Sequence, residues 1–133
     1  VPSFVTDTHA LIWSLQNDPQ LGLQARQIFV AAGRGETLIY VPTICVVEMV
    51  YLQEKRRIPR GLITQLDNLL YLGVTGLLLQ ELTGDIANAT SRVSRAEVPD
   101  MPDRIIAATA LHLGVPLISR DRRISLSAVA TVW

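Results

Sequence analysis

The spacing of apolar positions changes along the chain, and each change predicts an element. "SFVTD" reads as a short strand ending at Asp7, and "THALIWSLQ" as a helix with Leu11, Ile12 and Leu15 on one side. "PQLGLQARQIFVAAGRG" predicts a second helix, with Pro19 near its start and Gly33 or Gly35 at its end. "TLIYVP" reads as a strand, followed by a helix over "TICVVEMVYL" with Thr43 as its N-cap. "PRGLITQLDNLLYLG" predicts a helix, "VTGLLLQEL" a short buried strand, and "TGDIANATSRVSRAE" another helix. "DMPDRIIAATALHLG" is a helix closed by Gly114, "VPLIS" a buried strand, and "SAVATVW" a last strand.

Strands alternate with helices, and "LIYV" and "VPLIS" are unbroken apolar runs. That pattern belongs to a parallel sheet covered on both faces, so the expected fold is α/β with about four or five mostly parallel strands. No repeat, linker or low-complexity segment interrupts it, and we read residues 1–133 as one domain. In such folds ligands bind outside the carboxyl ends of the strands.

One position conflicts with the hydrophobic pattern. Glu48 is the only charge in "TICVVEMVYL", and on a helix Ile44, Cys45, Tyr51 and Leu52 share its face. A carboxylate in such surroundings is costly to bury without a partner. Asp7 ends the first strand, and Asp121 follows "VPLIS" by one residue, so both leave the sheet at its carboxyl edge. Glu48 lies about one turn into the helix that follows "LIYV", and helical side chains tilt back toward the N-terminus, again to that edge. Asp103 lies in the first turn of its helix, and its placement depends on how that helix docks. Each Asp has an ordinary reading too. Asp7 and Asp100 suit N-caps, Asp103 suits a helix dipole, and Asp121 suits a turn or a pair with a neighbouring Arg.

Together the acids imply more. Two carboxylates about 4 Å apart repel by about 4 kcal/mol at an effective dielectric of 20, so three or four need protons or a cation. An all-oxygen set suits Mg²⁺ or Mn²⁺. His9 and His112 lack a Cys or His partner at zinc spacing, and His112 reads as a structural residue of its apolar helix.

Composition narrows the partners. Hydrophobic residues are 49% and charged residues 18% of 133, which fits a folded chain with a substantial core. Twelve basic residues balance twelve acidic ones, which argues against a generic nucleic-acid coating protein. All the basic residues except Lys55 are Arg, the side chain of bidentate phosphate contacts, although an Arg-favouring base composition gives the same bias. The single Cys45 excludes an internal disulfide and fits a reducing compartment. With no membrane-length apolar run and no signal pattern, a cytoplasmic protein is expected; the start at Val1 reads as a trimmed chain.

"DTHALIW", "VVEMVYL", "DMPDRIIAATAL" and "PLISRDRRI" resemble, in order and spacing, the motifs of PIN-domain nucleases, and most of all the VapC-type toxins of bacterial toxin–antitoxin modules. The resemblance implies an endoribonuclease dependent on Mg²⁺ or Mn²⁺, with its acidic quartet at Asp7, Glu48, Asp103 and Asp121. Asp7, Asp103 and Asp121 then hold metal directly or through water, and Glu48 holds metal or orients the attacking water. Thr8, Asp100 and Ser119 match further family positions. Arg104, Arg120, Arg122 and Arg123 border the site in sequence and are candidates for RNA phosphates. The resemblance also implies a homodimer held inactive by a small antitoxin that directs a basic side chain at the acids. Because the Glu48 helix is apolar on nearly all sides, Val46, Met49 or Val50 is expected near such a contact.

Two other classes compete. A receiver domain or aspartate-nucleophile phosphatase expects a second acid beside or two residues after the first and a late Lys, whereas Asp7 is followed by Thr8 and His9. An inactive PIN-like binding module is expected to lose its acids first, and here the quartet is intact.

Overall fold

Strand β1 (Ser3–Thr6) runs through the middle of a five-stranded sheet and pairs with β2 (Leu38–Pro42) on one side and β4 (Leu117–Ile118) on the other. The computed structural model describes residues 1–121, 124 and 129–133. Outside β2 lies β3 (Leu77–Gln80), and outside β4 lies β5 (Thr131–Val132), giving the order β3-β2-β1-β4-β5 with every pairing parallel. The register sets Val5 opposite both Tyr40 and Leu117. Successive strand residues point to opposite faces, yet Val5 and Thr6, Val41 and Pro42, and Leu117 and Ile118 are all buried. Both faces are therefore covered, as the unbroken apolar runs predict.

Six α-helices complete the described fold: α1 (Thr8–Leu15), α2 (Leu23–Gly33), α3 (Thr43–Glu54), α4 (Gly61–Leu72), α5 (Gly84–Ala89) and α6 (Met101–Leu113). The small residues Ala107, Ala108 and Ala110 of α6 are fully buried and let that helix lie close on β1. Helix α3 packs against α1, α4 and α6 as well as β2. No described helix is long and apolar enough to cross a membrane.

Several sequence-based boundaries shift for local reasons. Helix α2 begins at Leu23, because Asp18 holds the Pro19 segment in a turn through its side chain on Gln20 N–H. Thr43 is the first residue of α3 rather than its cap, and no side chain caps that helix. The helix predicted over "TGDIANATSRVSRAE" stops at Ala89 and tightens to a 3₁₀ turn at Thr90–Arg92. Thr90 and Ser91 there donate their hydroxyls to the carbonyls of Ala87 and Asn88, competing with the helical ladder. His112, read as a structural residue, is exposed on the last turn of α6.

Helix α3 carries apolar side chains on both its buried and its exposed sides. Met49 and Cys45 are fully buried, while Val47, Val50 and Tyr51 are exposed. Met49 is thus a core residue, and any partner contact falls to its exposed neighbours. Cys45 donates its thiol to the Thr6 carbonyl, and burial pushes its pKa up, so it is inert as a nucleophile.

Candidate active site

The strand order reverses at β1: the chain builds outward to β3, then returns to place β4 on the other side. Parallel sheets open a crevice at such a reversal, outside the carboxyl ends of the two strands. Asp7 leaves β1 there, and Asp121 leaves β4 two residues beyond Ser119. Glu48 arrives on α3, and Asp103 and Asp100 arrive at the start of α6. All five acids line one cavity of about 270 Å³.

Asp7 takes its ordinary place as an N-cap and also reaches the cavity. Its carboxylate caps α1 by accepting from Ala10 N–H at 2.8 Å, and it also lines the cavity. Asp100 occupies the N-cap position of α6 but makes no capping bond, which leaves its carboxylate exposed at the rim. Ser119 joins the two central strand ends: its hydroxyl bonds to the Asp7 carboxylate, and its Oγ accepts from Asp121 N–H at 3.1 Å. Buried Thr8 donates to Glu48 Oε1 at 2.5 Å. That hydroxyl, together with the acidic cavity, is what Glu48 faces.

The electrostatics follow from this convergence. Burial raises the pKa of Asp7, against the bonds from Ala10 and Ser119 that lower it. Burial also raises Glu48, opposed by Thr8 and assisted by the charge of Asp100. Asp103 is pushed up to about 6, first by burial and then by Asp100, Glu48, Asp121 and Asp7. A group raised by four neighbouring carboxylates lies in a field that a cation would relieve.

The donor chemistry fits a hard divalent cation, since every acid and hydroxyl offers oxygen. Among the described residues, however, no group of three His, Cys, Asp or Glu side chains is arranged to hold a metal ion as it stands.

The arginines divide. Arg120 lines the cavity, with its guanidinium 4.7 Å from the centroid of the Trp13 ring. Arg104 is turned away: its Nε donates to the Val93 carbonyl at 2.9 Å, and it lines a separate cavity with Arg95 and Met101. Arg104, a candidate because it borders the site in sequence, thus faces the 3₁₀ turn from its place on α6. Arg122 and Arg123 lie outside the described residues.

Sequence reasoning missed Trp13 and Trp133, which form one wall of the cavity. Trp13 was legible in part, one turn after His9 on the helix that Asp7 caps. Nothing in the sequence placed Trp133 there.

A five-stranded parallel α/β domain with converging carboxylates at its switch point defines a class of acidic-site α/β proteins. Residues 4–130 match the family model described as PIN domain, and the chain belongs to the PIN-domain family. Domains of this family are generally nucleases that use divalent metal ions. The fold is similar to three solved structures. One is VapBC2 from Rickettsia felis bound to a DNA fragment from its promoter, at 12% identity and TM-score 0.68, covering 98% of this chain and 97% of that one. Another is a toxin–antitoxin complex from Klebsiella pneumoniae, at 21% identity and TM-score 0.62, covering 97% and 95%. The third is FitAcB from Neisseria gonorrhoeae, at 20% identity and TM-score 0.64, covering 98% and 96%. At these identities the likeness concerns the fold alone. Comparison with curated proteins gives no match.

Proposed function

We propose that this chain is an endoribonuclease dependent on Mg²⁺ or Mn²⁺ and the toxin of a type II toxin–antitoxin pair. The observation that carries the reading is the convergence of Asp7, Glu48, Asp103 and Asp121, from four separate segments, on one cavity at the switch point. The family is one of nucleases, and its fold recurs in the toxin–antitoxin complexes above.

Asp7, Asp103 and Asp121 are the residues to hold the ion, directly or through water. When bound, a divalent ion supplies polarisation of the scissile phosphate and a water of lowered pKa. Asp7 is held by Ala10 and Ser119, so its carboxylate is fixed relative to the strand ends. Thr8 holds one oxygen of Glu48, leaving the other to hold metal or to orient the attacking water. Asp103, at the start of α6, has its pKa raised to about 6 by burial and by the neighbouring carboxylates. Arg120 is the described cation at the cavity, and with Arg122 and Arg123 it is the candidate for RNA phosphate.

An apolar groove adjoins the acids and shares Thr8, His9 and Glu48 with their cavity. Its other walls include Ile44, Val47, Tyr51 and Met101. A small antitoxin seated along it would bring a basic side chain within reach of the carboxylates, where a positive charge substitutes for that of the metal. A homodimer in solution belongs to the same reading.

The test is cleavage of a structured RNA with and without Mn²⁺, with Asp103→Asn as control. Metal-dependent cleavage by the wild type, lost in the variant, is expected. A chain that binds RNA but never cuts it would instead be an inactive PIN-like binding module.

A further inference from the structure

The sequence contains two tryptophans, and both line the acidic cavity. The Trp13 and Trp133 rings meet edge to face at 5.9 Å, and His9 is tilted against Trp13 at 5.6 Å. Arg120 covers Trp13 from a further side. Both indoles are only partly buried, and His9 is exposed, so the wall keeps surface toward the cavity.

A second observation concerns how Trp133 is seated. Gly22 has an ordinary negative φ of −61°, so no backbone strain demands glycine there. A Cβ at Gly22 would fall 2.5 Å from Trp133 Cδ1 and 2.6 Å from its carbonyl oxygen. Glycine at that position provides the space in which the Trp133 residue lies.

Five carboxylates line the cavity, so contacts that are not ionic add affinity for RNA that depends on neither the metal nor the arginines. Every nucleobase has a flat face, and aromatic rings and Arg guanidinium groups are the surfaces on which unpaired bases stack. At about 270 Å³ the cavity is at or below the small end of ligand sites, which suits one splayed nucleotide and not a duplex.

We propose that Trp13, Trp133 and His9, with Arg120 over the Trp13 ring, form a nucleobase subsite that stacks one unpaired base next to the bond to be cut. This rests on the endoribonuclease reading and deepens it: the wall selects unpaired RNA and positions it, and the carboxylates act on the adjacent phosphate. Trp13 and Trp133 are positioning residues in this scheme.

The experiment uses short single-stranded RNA in an Asp103→Asn background, so that bound RNA stays intact. Binding is read by anisotropy with one abasic position walked along the strand. One abasic position is expected to weaken binding roughly 5- to 100-fold, the range for losing one stacked base. Trp13→Leu and Trp133→Leu should weaken the intact RNA by a similar factor, lose little more at that abasic position, and leave the salt slope unchanged. Trp13→Phe should recover most of the loss. A flat abasic walk on the unsubstituted rings, which needs no tryptophan variant to fold, overturns the proposal. So do equal abasic losses with and without Trp13, or equal affinity for a duplex of the same sequence. Cleavage of the same RNA by the wild type with Mn²⁺ separates the outcomes. Cleavage with a flat walk sinks the subsite alone, while absence of both binding and cleavage sinks the nuclease reading with it.

Discussion

The Thr8 hydroxyl donates to Glu48 Oε1 across forty residues of chain, tying the first turn of α1 to the middle of α3. Thr8 is buried, and Glu48 is half-buried, so this bond fixes the carboxylate beside the acids. Thr8→Val keeps the shape and removes the donor. We expect a loss of about 1.5 kcal/mol in urea unfolding, the low end for a bond to a charged acceptor because Glu48 is partly solvated. Thr8→Ser should stay near wild type, and equal losses in both variants would assign the cost to packing.

The raised pKa of Asp103 makes stability depend on pH. Its ordinary value is 3.8 and its folded value about 6, so over that window the folded chain holds a proton that the unfolded chain has released. Its favourable contribution is full below about 3.8 and is lost as pH rises through 6. Without divalent metal, the melting temperature of the wild type should fall across that window more than that of Asp103→Asn. At neutral pH the variant should be as stable or more so. Millimolar Mn²⁺ should then raise the wild type more than the variant, and equal gains would rule out a shared metal site.

The arginines should separate in salt titrations of RNA binding. Arg120→Ala is expected to reduce the slope of log K against log salt by about one, as for one lost phosphate contact. Arg104→Ala should leave the slope unchanged, because that side chain is committed to the Val93 carbonyl. Arg122→Ala with Arg123→Ala is expected to lower the slope by about one to two. A slope unchanged by the Arg120 variant would place that residue on the aromatic wall only.

The two sides of α3 should respond differently. Met49→Ala, in the core, is expected to cost about 2–5 kcal/mol. Val50→Asp and Tyr51→Asp, on the exposed side, should fold normally by circular dichroism yet weaken dimer formation or antitoxin binding. Sedimentation decides between these outcomes. A monomeric wild type, or folded variants that still assemble and bind normally, would remove α3 from any interface.

Gly76 meets the tightest packing among the glycines. A Cβ there would lie 1.7 Å from the Thr37 carbonyl oxygen, where β3 enters the sheet beside β2. The backbone is held on both sides, with Gly76 N–H on Ala32 and its carbonyl on Ile39 N–H. Gly76→Ala should destabilise by about 3 kcal/mol or more, read as a drop in urea midpoint at unchanged slope.

The alternation of elements was legible in the sequence because each strand and helix carries its own hydrophobic period. The carboxyl-edge placement of Asp7, Glu48 and Asp121 followed from strand-then-helix order, since a side chain leaving a parallel strand has one edge to leave by. Asp103 was legible as an acid of the first turn but not as a neighbour of the others, because that depends on how α6 lies across β1 and α3. The order β3-β2-β1-β4-β5 was hidden for the same reason: a parallel crossover can place the next strand at either edge, and only the packing of helices on both faces chooses. Arg104 faces the 3₁₀ turn and Arg120 the acids through contacts between segments, and Trp133 reaches the cavity only because β5 pairs beside β4 and Gly22 leaves room. Local periodicity thus determined the elements and the edge at which chemistry would gather, while long-range packing alone decided which side chains meet there.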